Sequence, residues 1–270
     1  MPPVIGLDGV FLTATASSDA DTLLDGIKQT RSSYNAPATS VDVTGGTDTS
    51  QTYTQGLRQW TVECSGVYPG SAPKTGYEAV LTYGSGYVLH LQTWTLTGSV
   101  AVQNITSKED GGAGWMLFRP GLWNWTLSWT ALVDDTTAVA DLTAPGASPG
   151  AVTVNLTNTT NDTLTGSLRT TSANLALDRA GRTEISYQGQ FNGPLTAGAA
   201  NGIFASGGIG TPDWDTNDDG TPDVALSFAS AASRTHSGNG FLSGVTITNP
   251  LDAAIEVQAT FQGTGALTNA

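Results

Sequence analysis

Two stretches far apart in the chain carry the same pattern, and this pattern decides the fold. Trp60-Thr61-Val62-Glu63-Cys64-Ser65-Gly66-Val67-Tyr68 matches Thr183-Glu184-Ile185-Ser186-Tyr187-Gln188-Gly189-Gln190-Phe191. In both, apolar residues fall at every second position, as in a strand with one buried and one wet face. The stretches 123–129 and 255–261 alternate in the same way. We therefore predict a β-domain that is present twice in the chain.

Composition supports an all-β class with few short helices. Charged residues make up 12% of the 270 residues, about half of the usual share of ~25%. Threonine, serine and glycine take their place, and threonine favours half-exposed pleated surfaces. The net charge of −13 and the pI near 4.2 repel phosphate backbones. The charge therefore argues against capture of nucleic acid, although nucleic acid could pass without sticking.

A proline-containing segment without periodicity, residues 141–149, divides the chain. The elements before it recur in the same order after it, so we predict a first β-domain at 22–140 and a second at 150–270. Residues 1–21 form a polar N-terminal arm that we expect to order only against a neighbour. We expect neither a signal peptide nor a membrane span, and therefore a soluble product made in the cytosol.

The sharpest local motif is acidic. Asp215, Asn217, Asp219 and Asp223 alternate around a glycine, and oxygen ligands in this spacing suit Ca²⁺. The pattern resembles the calcium loops of thrombospondin-type repeats, and it lacks an EF-hand's final glutamate, because Leu226 stands there. An acidic surface turn is the alternative, since turns prefer the same residue types. We predict no cofactor, and Ca²⁺ at this loop is the one candidate that stays open.

Catalysis has no candidate residues, and we predict that the protein is not an enzyme. The alternation places Cys64 on the apolar face with Trp60 and Val62, where a thiol behaves as an inert small hydrophobe. His90 has no neighbour that would orient it. Trp115, in a glycine-rich loop, is the indole that we expect to be free for a ligand or a partner subunit.

Three passages resemble the major tail tube proteins of long-tailed, siphovirus-like bacteriophages. They are residues 39–44, the entry 56–58 to the strand that ends at 65–68, and residues 259–268, which are similar to that family's closing "fxGxGxLT" strand. The resemblance implies two tandem β-sandwich or barrel domains of the tail-tube type. It also implies a structural protein of the virion tail, assembled in the host cytoplasm, with an acidic lumen that conducts genome DNA without specific binding.

The family's assembly indicates the partners. Its domains close into rings of six, and the rings stack into a tube. A duplicated chain could form such a ring from three copies, so the resemblance implies a homotrimeric ring with pseudo-sixfold symmetry. Tape measure and terminator proteins of the tail are further partners, and no membrane partner is expected. A hexameric ring stays open as the alternative, as do the host and the presence of a sheath.

The resemblance also assigns a stacking element. In the family, the long loop after the first "VDVT"-like strand reaches the next ring, whereas residues 178–182 of the second half are too short to do so. The residues assigned to ring stacking are Gly45, Gly46, Thr47, Asp48, Thr49, Ser50, Gln51, Thr52, Tyr53, Thr54, Gln55 and Gly56.

One alternative function uses other residues. A carbohydrate-binding or virion-decoration β-module would bind through an exposed Trp115 and the Ca²⁺ loop. Glycan binding that a chelator abolishes would favour that alternative, whereas hollow filaments would favour the tube.

Overall fold

Antiparallel β-strands make up the described part of the chain, in a computed structural model. The structure describes residues 12–14, 24, 27–46, 49–68, 80–83, 86–87, 91–107, 114–132, 150–155, 163–177, 183–198, 224–231 and 234–269. The strands are β1 (Thr13–Ala14), β2 (Lys28–Asn35), β3 (Ala38–Asp42), β4 (Tyr53–Arg58), β5 (Thr61–Val67), β6 (Val80–Tyr83), β7 (Gly86–Tyr87), β8 (Leu91–Asn104), β9 (Phe118–Leu132), β10 (Gly150–Asn155), β11 (Thr163–Leu177), β12 (Thr183–Phe191), β13 (Thr196–Gly198), β14 (Ala225–Ala231), β15 (Arg234–Pro250) and β16 (Glu256–Asn269).

Fourteen of these strands belong to one sheet. Its order is β2-β5-β16-β15-β8-β9-β12-β11-β10-β6-β7, with β14 paired to β15 and β1, and β13 paired to β11. The strands β3 and β4 form a separate two-stranded hairpin. The expectation of an all-β protein is confirmed.

The core lies on one face of this sheet, as the alternating sequences predict. In β5 the residues Val62 and Cys64 are buried, whereas Glu63 between them is exposed. In β9 the residues Trp125, Leu127 and Trp129 are buried in the same alternation. Because successive side chains of a strand point to opposite faces, the other face of the sheet is left to polar residues. The apolar face is the largest single source of stability in such a fold.

Each half of the chain pairs with the other half. The early strands of the first half pair with late strands of the second half, as β1 with β14 and β5 with β16. Likewise, β10 and β12 of the second half pair with β6 and β9 of the first. The pair β15–β8 joins the two sets in the middle of the sheet. We call this arrangement the exchanged pairing.

The strand order is the same on both sides of the β15–β8 pair. Reading outwards, β15, β16, β5 and β2 on one side match β8, β9, β12 and β11 on the other. This is the arrangement that a two-fold axis normal to the sheet produces. The predicted domain boundaries at 22–140 and 150–270 stay a prediction, and the segment 141–149 lies outside the described residues.

Local details repeat across this two-fold arrangement. A bulge interrupts β2 between Gln29 and Arg31, and a bulge interrupts β11 between Thr170 and Ser172. The threonine at each bulge donates its hydroxyl to a carbonyl of the neighbouring strand, Thr30 to Ser65 at 3.2 Å and Thr171 to Gln188 at 3.0 Å. Bulges are specific features of a sheet and not random defects. The same irregularity therefore occurs at matching places in the two halves.

Part of the N-terminal arm packs on its own chain. Leu12 is buried, and Thr13 and Ala14 pair with Ser227 and Leu226 of β14. Gln29 donates its side-chain amide to the Leu12 carbonyl at 2.8 Å. The expectation that the arm orders only against a neighbour is wrong for residues 12–14, because a buried leucine holds them.

Candidate functional site

The β3–β4 hairpin is exposed over most of its length, and it contains the predicted stacking segment. Every described residue from Ala38 to Gln55 is exposed. Its apolar side chains are uncovered: Val41 is 48% exposed, Val43 49% and Tyr53 56%. Val41 faces Thr54 across the hairpin, and Tyr53 faces Asp42. The valines therefore point to one face of the hairpin and Tyr53 points to the other, so both faces carry apolar side chains.

Side-chain hydrogen bonds give the hairpin tip a defined shape. Thr44 donates both its amide and its hydroxyl to the Asp42 carboxylate, and these bonds lower the pKa of Asp42. The Thr44 hydroxyl also accepts from the Thr52 amide at 2.8 Å, and Val43 donates to the Thr52 carbonyl at 2.8 Å. This tip is therefore ordered by local bonds although none of the residues that the structure describes covers it. Thr47 and Asp48 lie outside the described residues.

The base of the hairpin is clamped to the sheet. The Arg58 guanidinium lies 4.4 Å from the centre of the Trp115 ring. The backbones also bond, since Arg58 donates to the Gly114 carbonyl at 2.9 Å and accepts from the Met116 amide at 2.8 Å. Gly265 of β16 donates to the Met116 carbonyl at 3.0 Å. The hairpin is thus an exposed arm on a fixed base.

The second half has no counterpart of this arm. In the first half, 25 residue positions, 36–60, separate β2 from β5 and include the hairpin, whereas residues 178–182 alone separate β11 from β12. The register places Thr183 opposite Leu177, directly after that short segment. That residues 178–182 are too short to reach a neighbour stays a prediction.

The strand β2 leaves one edge of the sheet open in the described part of the chain. It lies at the end of the strand order and pairs only with β5 there. Seven of its eight residues are exposed. Tyr34 packs part of its ring against Phe228, with the ring centres 4.9 Å apart. An open edge offers its backbone groups for pairing with another chain.

The polar face of the sheet forms a continuous surface across eight strands, and we call it the wet face. The strand registers place polar side chains in rows that cross the whole sheet. Within it, the Thr93 and Thr130 hydroxyls are 2.9 Å apart, and Gln190 donates to Asn124 at 2.6 Å. The central row consists of Arg31, Ser65, Gln258, Thr246, Thr97, Thr126, Gln190 and Arg169.

The described wet face carries almost no net charge. Its carboxylates are Glu63, Glu184 and Glu256, and its cations are Lys28, Arg31, Arg119 and Arg169. Between them lie threonine, serine, asparagine and glutamine. The expectation of an acidic lumen stays a prediction. The chain's excess negative charge lies elsewhere.

The predicted metal site cannot be placed on this surface. Asp215, Asn217, Asp219 and Asp223 lie outside the described residues, as does His90. Within the described ranges, no group of three or more His, Cys, Asp or Glu side chains could hold a metal ion. The part of the chain that the structure describes also has no helix long and apolar enough to cross a membrane.

The expectation of a free Trp115 is wrong. Its ring is half-buried, packs against the core and carries the Arg58 guanidinium. A stacked arginine occupies the surface that a sugar ring would need. The sequence did not reveal the contact between Arg58 and Trp115. The two residues are distant in the chain, and an isolated bridge between their backbones brings them together.

Cys64 is placed as the alternation predicts. It is 3% exposed, and burial raises the pKa of its thiol to about 12 despite a smaller opposing effect of a hydrogen bond with Ala259. A thiolate is the reactive form, and with that pKa roughly one thiol in ten thousand is ionised at pH 8.

We therefore expect Cys64 in the folded protein to resist alkylation. Iodoacetamide at pH 8 should label it at least 100-fold more slowly than in urea-unfolded protein, as measured by mass spectrometry of intact protein. Rapid labelling without denaturant would show that the apolar face opens, contrary to the burial described here.

Solved structures with a partial likeness to this chain include two from gene transfer agent particles. A chain from "Virion of native gene transfer agent (GTA) particle" is 15% identical with a TM-score of 0.40, covering 47% of this chain and 98% of that chain. A chain from "Tail of empty GTA particle computed with helical refinement, C6 symmetry" is 19% identical with a TM-score of 0.36, covering 44% of this chain and 93% of that chain. Both TM-scores are low, and neither likeness establishes a function. No protein-family profile and no curated protein matches the sequence.

Proposed function

We propose that this chain is the structural subunit of a phage-type tail tube. Three copies form a ring with pseudo-sixfold symmetry, rings stack through the β3–β4 hairpin, and genome DNA passes through the lumen. Tape measure and terminator proteins would bind the ends of the finished tube. The observation that carries the proposal is the hairpin, an ordered arm with exposed apolar side chains on a fixed base, which the described part of its own chain leaves uncovered.

The exposed hairpin supports stacking between copies. Isolated two-stranded hairpins are marginally stable in water, yet this one presents Val41, Val43 and Tyr53 to solvent. Burial of three such side chains contributes about 1.5–3 kcal/mol each when they are fully covered. A neighbouring ring would cover them, and repetition along a tube multiplies the gain.

The wet face supports the passage of DNA. Capture of a duplex requires cations that neutralise several phosphates, and on the described wet face four cations stand against three carboxylates, which leaves a net charge of only +1. Hydroxyl and amide groups between them bind water instead. We assign this face to the lumen, because the opposite face is the core.

The repeated bulges support a duplicated origin and the threefold ring. Thr30 and Thr171 make the same hydrogen bond in the two halves. A chain that contributes two equivalent units fills six positions with three copies. The open edge of β2 gives each copy a backbone surface for its neighbour.

Electron microscopy and native mass spectrometry test this proposal. Negative-stain images of the purified protein at high concentration should show hollow filaments, and mass spectrometry of released rings should show three chains. A protein that remains monomeric at every concentration contradicts the tube, and rings of six chains contradict the trimer.

A further inference from the structure

We propose that the chain can pair its strands in a second way, and that the ring uses this second pairing. In the exchanged pairing β5 lies beside β16 and β12 beside β9. In the second, which we call the same-half pairing, β5 lies beside β9 and β12 beside β16. This inference rests on the proposed function, because the ring is what selects between the two pairings.

The strands β5 and β12 offer the same surface to a partner. A Cβ on Gly66 would lie 2.5 Å from the Lys28 carbonyl oxygen, and a Cβ on Gly189 would lie 2.9 Å from that of Arg169. These glycines occupy matching places, and the bulges of the adjoining strands match too. The strands β5 and β12 therefore have the same backbone irregularities at matching places on their β2 and β11 sides.

The strands β9 and β16 are in turn equivalent partners. Glu63 of β5 faces Thr260 of β16, and Ser186 of β12 faces Thr130 of β9. Exchanging the partners would set Glu63 opposite Thr130 and Ser186 opposite Thr260. All four residues stay on the wet face, because the change shifts no strand by an odd number of residues.

Core volumes also favour the same-half pairing. In the exchanged pairing Cys64 faces the small Ala259, and Tyr187 faces the large Trp129 with the ring centres 4.8 Å apart. The same-half pairing would set Cys64 beside Trp129 and Tyr187 beside Ala259. Each pair would then combine a large and a small side chain, which is how close-packed cores interdigitate.

Ring symmetry separates the two pairings. The exchanged pairing relates the halves by a two-fold axis normal to the sheet, so the two halves point in opposite directions along the strands. Pseudo-sixfold symmetry requires both halves to point the same way along the tube axis. The same-half pairing gives two four-stranded units, β2-β5-β9-β8 and β11-β12-β16-β15. Matching strands of the two units run in the same direction. When the units stand side by side, each strand is still antiparallel to its neighbour, including at the junction between the units.

Pairs of introduced cysteines distinguish the pairings. Glu63→Cys with Thr260→Cys reports the exchanged pairing, and Glu63→Cys with Thr130→Cys reports the same-half pairing. Directly opposed Cβ atoms in antiparallel strands are about 4.5–5.5 Å apart, and modest adjustment brings them to disulfide distance. The matched variants in the second half use Ser186. Ser186→Cys with Thr130→Cys reports the exchanged pairing, and Ser186→Cys with Thr260→Cys reports the same-half pairing. Every variant also carries Cys64→Ala, because the Cys64 thiol is buried in the folded chain but is exposed in urea, where it would compete with the introduced cysteine at position 63.

In the free chain we expect a disulfide to form in the Glu63→Cys/Thr260→Cys variant, and in sedimented filaments we expect one in the Glu63→Cys/Thr130→Cys variant. Gel mobility and peptide mapping detect both disulfides. Filaments that close only the Glu63–Thr260 pair, or that yield covalent dimers through it, overturn the inference. Failure to form any filament contradicts the proposed function instead. The free chain then decides: refolding from urea under oxidation should give some Glu63–Thr130 disulfide, and its complete absence overturns the same-half pairing.

Discussion

Gly263→Ala is expected to lower the free energy of unfolding by about 1–3 kcal/mol. A Cβ at this position overlaps the Trp60 indole, which is fully buried. The indole has little room to move away, because it is fully buried and its Nε1 donates to the Gly265 carbonyl at 3.2 Å. Urea denaturation followed by tryptophan fluorescence measures the change.

Two further variants isolate the cause. Gly244→Ala lies in the same sheet with 3.7 Å to the nearest atom, so its effect should stay within about 0.5 kcal/mol. Trp60→Ala should cost about 3–5 kcal/mol, and Gly263→Ala should add almost nothing in that background, because its clash partner is gone. Equal costs of Gly263→Ala in both backgrounds would exclude the indole as the cause.

Deletion of residues 46–55 is expected to abolish filaments and to leave the folded sheet intact. The hairpin makes its base contacts through Arg58, Gly114 and Met116, all outside the deletion. Negative-stain counts should fall at least tenfold, and the unfolding midpoint in urea should not change. Normal tubes from the deletion variant would remove the stacking role of the segment.

A milder variant tests the apolar part of that role. Val41→Ser with Val43→Ser and Tyr53→Ser keeps the chain length and removes the exposed apolar groups, so filaments should again be lost. Leu122→Ser is the matched control, because Leu122 is also exposed and lies outside the hairpin. Loss of filaments with Leu122→Ser alone would show that stacking depends on non-specific hydrophobic association and not on the hairpin.

Sequence periodicity was sufficient to predict the buried face of β5 and of β9. The alternation at Val62 and Cys64, and at Trp125, Leu127 and Trp129, was correct because burial on one face of a strand leaves a period of two. The closing strand near Phe261 also has a structural reason for its glycines, since Gly263 makes room for Trp60 and Gly265 has a positive φ of 69°. Glycine adopts that backbone conformation without strain.

Strand partners could not be predicted in this way. A period of two tells which face of β5 is buried, but the same pattern fits β9 and β16 equally well. The contact between Arg58 and Trp115 was missed for a related reason, because it depends on long-range pairing and not on a local motif. The hairpin segment was recognised from its resemblance to tail tube proteins, whereas its clamped base follows only from the structure.

The hairpin is present in one half only, and this asymmetry sets the mechanics of the proposed tube. A ring of three chains would have three axial arms, separated by three sectors where the short segment 178–182 takes the hairpin's place. When the tube bends, neighbouring rings would separate at the sectors without an arm, and the arms would keep the rings connected at the other sectors. Such a cylinder would be more compliant in flexure and torsion than one with an arm at all six sectors.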